Sequence, residues 1–550
     1  MSHETATPTQ NSGSADSQLQ WGTGMPLRGD RIHRYVSCFC PACYADNPTS
    51  TAAERLSGWL VDRDDTIWLE RGCPRHGFIR TMYEENPQIL TYLEQWTAPT
   101  KWHVPDTPGN YAPIPRAYLQ GLGEMQTQHT CILLQDIIEG CNLKCPVCFT
   151  DAAPTLTGVV PLHEILANVD QRLARENGRI DVVMLSGGEP TIYPHLAELI
   201  EELVARNIVR IMVNSNGVEF ARNDELIALF EKHRDRVEVY LQFDGFGAES
   251  SKHHRGGDLR RVKEAAIARL SQAQIFTTFT MTASLGVNDR EIGDVVMLGL
   301  ETPYIGGVSI QPVFGSGRSQ PIDAMRRLTN TGVLARLEQQ TNGVVRWDDL
   351  TALPCSHPHC SSVGYMLRGD SGQWRSLAAI MGHDRLKENL GLVANRIADN
   401  QLPKDIRVAV QQSLMGLLSE QSSLSHPDIG KLWRDVCEAC DLGIATLMKM
   451  AASAGLGNKR EIRKLLGERV MRITVKPFMD INTMIEERLT QCCVHVGTKS
   501  GDAQQCAPFC AVQAWTDISQ QRLSLSVGEK VFNSVSATES AMRFIEQGTR

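Results

Sequence analysis

The chain has 550 residues, 42% hydrophobic and 21% charged, with 55 Lys plus Arg against 63 Asp plus Glu, for a formal net charge of −8. This is several domains' length of ordinary globular composition, which excludes wholesale disorder, and its negative balance argues against a general nucleic-acid binder. No run approaches the ~18 to 20 uninterrupted apolar residues of a bilayer-spanning helix, and the N-terminus lacks the basic-then-apolar order of a secretory signal, so the expectation is a cytoplasmic protein without a transmembrane segment. In such a reducing compartment the 16 cysteines are candidates for metal ligands rather than disulfides.

Residues 1–30 are rich in Ser, Thr, Gln and Gly without periodicity and read as a disordered leader. Residues 31–111 form a Cys- and turn-rich segment with one short strand candidate at 66–70, expected to be a small metal-stapled module. Its CFCPAC stretch holds Cys38, Cys40 and Cys43, and CPRHG holds Cys73 and His76. A C-x2-C knuckle followed by a further Cys is the pattern of a tetrahedral zinc or single-iron site. Cys40, Cys43 and Cys73 are the ligands expected there, with Cys38 or His76 as the fourth.

Residues 112–320 alternate strands with amphipathic helices. The strand candidates are CILLQDI, DVVMLS, VRIMVN, VEVYLQF, IFTTFTMTA and YIGGVSIQPV. Six strands separated by helices predict an α/β fold, a parallel sheet of βαβ units that is open or curled into a partial (βα)6 barrel, with catalytic groups at the C-terminal strand ends. After the first strand stands EGCNLKCPVCF, which places Cys141, Cys145 and Cys148 in C-x3-C-x2-C spacing. Three thiolates in a tight loop suit three irons of a 4Fe-4S cluster and leave the fourth iron open to a small molecule. A zinc site or buried free thiols are the plainer alternatives. The second strand ends in LSGGEP, with Gly187, Gly188, Glu189 and Pro190. Paired glycines let the backbone approach a ligand closely and a carboxylate accepts from an amine, although a tight turn needs the same residues. The third strand ends in VNSNG, where Asn214, Ser215 and Asn216 are candidates for ribose hydroxyls or for capping a turn. The fourth ends in LQFDG, with Gln242 and Asp244 at the same mouth.

CNLKCPVC and SGGEP together resemble the radical S-adenosylmethionine (radical SAM) superfamily, over about residues 131–313. The resemblance implies that Cys141, Cys145 and Cys148 carry a 4Fe-4S cluster, and that S-adenosylmethionine chelates its fourth iron. It further implies that Gly187, Gly188, Glu189 and Pro190 bind this cofactor, with Ser215 and Asn216 as ribose candidates. A reduced cluster then cleaves SAM to methionine and a 5′-deoxyadenosyl radical that abstracts hydrogen from a substrate C–H bond.

Residues 321–468 read as mainly helical, interrupted irregularly at 354–360. Apolar stretches such as VAVQQSLMGLLSE and IATLMKMAASAGLG can line a tunnel or simply pack. Residues 469–550 begin with the strand candidate VMRITVKPF and continue in Cys-bearing loops. Beyond the core lie Cys355 and Cys360, Cys437 and Cys440 of CEAC, Cys492 and Cys493, and Cys506 and Cys510 of CAPFC. Eight thiols suffice for two auxiliary 4Fe-4S clusters, without fixing the pairing. CEAC lies in a helical stretch, where i and i+3 share a face. Cys131, on the first strand, is expected to be a small buried hydrophobe.

Across about residues 38–510 the chain is most similar to the tetraether lipid synthases and the related methyltransferases that act on the pterin of archaeal one-carbon carriers. The matching stretches include CPAC, CPRHG, EGCNLKCPVCFTDA, LSGGEPTIYP, YLQFDGF, GVNDREIG, PCSHP and CAPFC. This resemblance implies a radical cluster, further cysteine-bound iron, and a C–C bond made at an unactivated carbon by methylation or lipid alkyl coupling. A small-molecule or lipid substrate and an external electron donor follow, with no nucleic acid. Two other readings are a peptide-modifying maturase with auxiliary clusters and a non-catalytic iron-sulfur carrier or sensor. The open triad beside SGGEP argues against the carrier, which has no use for SAM.

Overall fold

The computed structural model describes residues 31–96, 103–109, 112–319, 321–388, 441 and 459–522. The expected leader, Cys437 and Cys440, and both apolar helical stretches quoted above lie outside the described residues. Among the described residues no helix is long and apolar enough to cross a membrane.

The N-terminal module is a four-stranded antiparallel sheet of β1 (Arg31–Phe39), β2 (Arg55–Arg63), β3 (Thr66–Cys73) and β4 (Gly77–Glu84), paired in sequence order. The sequence suggested only part of β3, because β1 and β2 carry many charged residues and pair through the backbone rather than by apolar alternation. The topology explains the metal motifs. β1 and β3 both run antiparallel to β2, so they are parallel to each other and end at the same edge of the sheet. There CFCPAC leads into α1 (Pro41–Asp46), and CPRHG makes the β3–β4 turn. A helix, α2 (Pro87–Glu94), capped by Asn86, completes the module.

The core sheet contains β5 (Ile132–Ile138), β6 (Ile180–Gly187), β7 (Ile208–Ser215), β8 (Val237–Gln242), β9 (Thr277–Ala283) and β10 (Ile305–Pro312). All six are parallel and consecutive neighbours. The crossovers carry α3 (Leu162–Arg175), α4 (Leu196–Ala205), α5 (Val218–Arg222), α6 (Asp224–Lys232), α7 (Ala248–Arg255), α8 (Arg260–Gln272) and α9 (Ile292–Glu301). Alternate strand residues such as Leu133, Val183, Ile211, Val239, Phe279 and Val308 are fully buried on the face that packs against the helices, and each such burial contributes ~1.5–3 kcal/mol. The residues between them face inward. One from each strand, Leu134, Met184, Asn214, Tyr240, Thr280 and Gln311, lines a single cavity, so the sheet curls into a partial barrel.

The later segments extend this sheet. β14 (Val470–Val475) pairs parallel to β10, and β15 (Val494–Ser500) pairs parallel to β5 and antiparallel to β16 (Ala503–Pro508). Within 321–388 there is a helix, α10 (Asn330–Gln340), but also β11 (Thr351–Ala352), β12 (Ser362–Arg368) and β13 (Trp374–Ser376). β12 lies antiparallel to β14. Less of this stretch is helical than its sequence suggests, because β12 follows a sheet edge that only the tertiary fold provides.

α11 (Phe509–Ala514) and α12 (Thr516–Ser519) then dock on the N-terminal module. The Asp517 carboxylate accepts from Ser50 N and Oγ at 2.8 and 2.7 Å, and Tyr44 Oη donates to the Ala514 carbonyl at 2.6 Å.

Candidate active site and sulfur groups

At the C-terminal end of β5 the loop turns so that Cys141, Cys145 and Cys148 all line the barrel cavity. Local hydrogen bonds fix it. Leu143 N donates to Cys141 Sγ at 3.4 Å, and Asn142 Oδ1 accepts from Asn216 Nδ2 at 2.7 Å. Burial pushes the thiols of Cys141 and Cys145 above their ordinary value, and neighbouring negative groups add to this for Cys141. Three soft sulfur donors at one cavity, whose protons a cation can replace, match the donor chemistry of an iron cluster.

The end of β6 presses against this loop. Gly187 has φ +116, and a Cβ there would lie 2.3 Å from the Ile138 carbonyl oxygen; at Gly188 it would lie 1.9 Å from that of Gly140. Only glycines permit this approach. Glu189 is 2% exposed and ties three segments together. Its Oε2 accepts from Asn216 N at 2.8 Å, and its Oε1 accepts from Thr191 Oγ1 at 2.6 Å. Burial raises its carboxyl pKa, while these hydrogen bonds oppose the rise. Gly187, Gly188 and Glu189 line the cavity, and Pro190 starts the short helical turn behind them.

Asn214, Asn216 and Gln242 also line the cavity. Ser215 Oγ instead accepts from Gly217 N at 3.0 Å, and Asn216 Oδ1 accepts from Val218 N at 3.0 Å, so both serve the turn as well. Asp244 grips Arg255 bidentately, accepting from Nε at 2.6 Å and from an Nη at 2.7 Å. Burial works against the Asp244 charge, but the guanidinium outweighs it and holds the carboxyl at about 2. Arg255 lines the cavity, and its charge opposes the rise in the Cys145 pKa. Arg255 and Lys263 lie in RGGDLRRVKEAAI, a stretch that shares the family resemblance without marking either as a site residue; Lys263 Nζ donates to the Asn216 carbonyl at 2.6 Å, and burial lowers its pKa to about 8.

The other cysteines form distinct groups. Cys40, Cys43, Cys73 and His76 converge. His76 Nδ1 lies 3.5, 3.4 and 3.6 Å from the three sulfurs, and Cys43 Sγ lies 3.6 Å from Cys73 Sγ. A zinc–sulfur bond of ~2.3 Å implies ligand separations of ~3.8 Å in a tetrahedron, so the set fits one ion. His76 Nε2 faces Asp46 Oδ2 at 3.2 Å, the usual outer support for a ligating imidazole. Cys38 stands outside this set, in contact with Gly58 and near the buried Arg71.

A second set joins Cys131, Cys355 and Cys493, with the last two sulfurs 3.7 Å apart. Cys131 reaches it because β15 docks beside β5, where Cys131 N donates to the Cys493 carbonyl at 3.0 Å. Nothing local in the sequence signals that neighbour. Cys360 and Cys510 lie beside the buried Arg488, whose Nε donates to Cys360 Sγ at 3.4 Å, and Cys492 lies near both of these thiols. Cys506 lies apart, beside Arg172 and Asp106.

A parallel barrel with a sulfur loop and a glycine pair at its C-terminal mouth defines a cofactor-dependent α/β enzyme. Residues 136–298 match the radical SAM superfamily, and residues 32–85 match the HMPTM N-terminal zinc ribbon domain. The chain thus carries a radical SAM domain and is a radical SAM enzyme, a class that works with a 4Fe-4S cluster and SAM. It is 23% identical over 496 residues to a 7,8-dihydro-6-hydroxymethylpterin dimethyltransferase of Methanocaldococcus jannaschii, which covers 86% of this chain and 91% of that protein. Over 183 residues it is 29% identical to a GTP 3′,8-cyclase of Syntrophomonas wolfei, covering 32% of this chain and 54% of that one. A radical SAM methyltransferase structure from Sphaerobacter thermophilus aligns at 16% identity and TM-score 0.30, over 59% of this chain and 77% of that one.

Proposed function

We propose that Cys141, Cys145 and Cys148 hold a 4Fe-4S cluster, that Gly187, Gly188, Glu189 and Pro190 with Ser215 and Asn216 receive SAM beside it, and that the enzyme makes a C–C bond at an unactivated carbon. One observation carries this reading: the three sulfurs, the glycine pair and Glu189 all face one cavity at the barrel mouth. When bound, the cluster and SAM supply a 5′-deoxyadenosyl radical through one-electron reduction by an external donor. The chain's own part is to position. Glu189 and Asn216 lock the β6 and β7 ends together, the glycine pair admits a ligand against backbone, and Arg255 sets positive charge beside Cys145.

The two further sulfur sets support auxiliary iron-sulfur clusters, and the N-terminal set supports one zinc or iron ion. Methyl transfer is supported by the name of the Methanocaldococcus relative, which matches most of the chain; coupling of two alkyl carbons is the other bond-forming outcome. The test is anaerobic reconstitution, reduction and incubation with SAM deuterated in its methyl group, together with extracts of cells lacking the gene. A product that gains deuterated methyl carbon establishes methylation, and a coupled product without label establishes alkyl joining. If no 5′-deoxyadenosine forms, the reading fails.

A further inference from the structure

Below the sulfur loop the barrel lumen continues into a second cavity toward the N-terminal strand ends. The two cavities share Ile132, Met184, Tyr240, Lys476 and Val494, which form a collar between them. Its walls differ in chemistry. From β5–β7 come the apolar Ile132, Leu134, Met184 and Met212, with the polar Asp136 and Asn214 among them. From β8–β10 and the end of β14 come Tyr240, Thr280, Gln311 and Lys476, all polar or charged.

Three of the polar groups have no partner among the described residues. Thr280 is 5% exposed, and its Oγ1 makes no hydrogen bond; Asn214 Oδ1, at the same cavity, makes none either. Lys476 is placed by its backbone N, which donates to the Ile310 carbonyl at 2.9 Å, yet its ammonium forms no ion pair among the described residues. A buried polar group left unpaired costs ~1–3 kcal/mol, and native structures rarely leave one without a function. Lys476 is half-buried at this cavity, and an ammonium with no ion pair there offers a charge-assisted contact to an anion that enters.

We infer that the substrate carries an anionic group, a carboxylate or a phosphate, which Lys476 binds at the collar while Thr280 and Asn214 hydrogen-bond to the same molecule. The reacting carbon and the anion then lie within one cavity, so the substrate is a small acid with one apolar face. A bare hydrocarbon leaves all three polar groups unpaired; such an acid satisfies both walls. The inference rests on the reading of this lumen as the substrate chamber.

Three probes of similar apolar body test it: benzoate, phenyl phosphate and benzyl alcohol, titrated calorimetrically against the reconstituted, SAM-loaded protein. We expect at least one acid to bind about tenfold more tightly than the alcohol. Lys476→Met should bring the three within about twofold of one another, and Lys476→Arg should restore the preference. Equal binding of all three by the wild-type protein, or of none, overturns the inference. So does a preference retained by Lys476→Met, or a loss of SAM affinity in that variant as large as the loss of acid affinity, which would make Lys476 a clamp for the SAM carboxylate. Formation of 5′-deoxyadenosine in the same preparation separates the two levels: its absence removes the proposed chemistry, whereas its presence without anion preference removes only this inference.

Discussion

Cys492 and Cys493 are consecutive, yet their sulfurs belong to different groups. Cys493 meets Cys131 and Cys355, while Cys492 lies near Cys360 and Cys510, the two thiols beside Arg488. Cys492 N still closes the turn from Leu489 at 3.2 Å, whereas the Cys493 carbonyl already accepts from Cys131 N beside β5 at 3.0 Å, so the two residues sit on different neighbours. Cys355 and Cys360 divide in the same way. The two groups of sulfurs are therefore distinct, though they share two short stretches of chain.

This division predicts two families of variants. Cys131→Ala and Cys493→Ala should lose the same metal signal, and Cys360→Ala and Cys492→Ala a different one, each removing about four irons if the centre is a 4Fe-4S cluster. Iron analysis with Mössbauer spectroscopy checks it. A Cys131→Ala protein with unchanged metal content would return Cys131 to the role of a packed hydrophobe.

For the mouth of the barrel, replacement of Cys141, Cys145 or Cys148 by Ala should abolish 5′-deoxyadenosine formation and remove about four irons while sparing the rest. Any one variant that kept wild-type cleavage would contradict the assignment.

At the N-terminus, His76→Ala should lose about one metal ion per chain and lower the melting temperature, because a closed tetrahedral site contributes folding free energy. Cys38→Ser should keep the ion. Metal analysis of the two proteins decides between His76 and Cys38 as fourth ligand.

Asp244→Asn leaves the Arg255 guanidinium buried without its counter-charge, which should cost ~3–5 kcal/mol. Because the Asp244 carboxyl is held at about 2, below its ordinary 3.8, its contribution is complete above pH 3.8 and is lost only as pH falls through 2. The deficit of the variant in denaturant melts should therefore be the same at pH 6 and pH 8. A deficit that vanished anywhere in that interval would mean that another group carries the charge balance.

Glu84 behaves in the opposite sense. It is buried against the start of α10, where its Oε2 accepts from Thr331 N at 2.9 Å and Oγ1 at 2.8 Å, and burial raises it from 4.5 to about 7 despite those bonds. A raised carboxyl stabilises fully below pH 4.5 and loses that contribution as pH rises through 7. Glu84→Gln should thus match the wild type in thermal melts at pH 4 and exceed it at pH 8. Equal melting at both values would show that the carboxyl stays charged throughout.

The parallel core was legible because its strands are short apolar runs separated by amphipathic helices, and because the three cysteines and the glycine pair are local motifs. What stayed hidden depends on distant partners. The strands of the N-terminal sheet are specified by pairing rather than by periodicity, and β12 exists because β14 offers an edge. Cys131 reads as an ordinary buried thiol until β15 sets Cys493 beside it, and the place of Arg255 in the site comes from the bidentate grip of Asp244 rather than from its motif. His76, by contrast, was in view next to Cys73, and only the convergence of two turns at one sheet edge separates it from Cys38.

The junction between the N-terminal module and the C-terminal helices has a consequence for biosynthesis. Ser50 and Asp517 are 467 residues apart, so the surface that receives the module is made long after it. β5 likewise waits for β15. During synthesis the nascent chain presents an open sheet edge and an undocked ribbon together, with Cys131 separated from Cys493 until β15 has been made. The group of Cys131, Cys355 and Cys493 is therefore complete only after β15 is made, and a chain truncated before β15 leaves the edge of β5 open to chaperones and proteases.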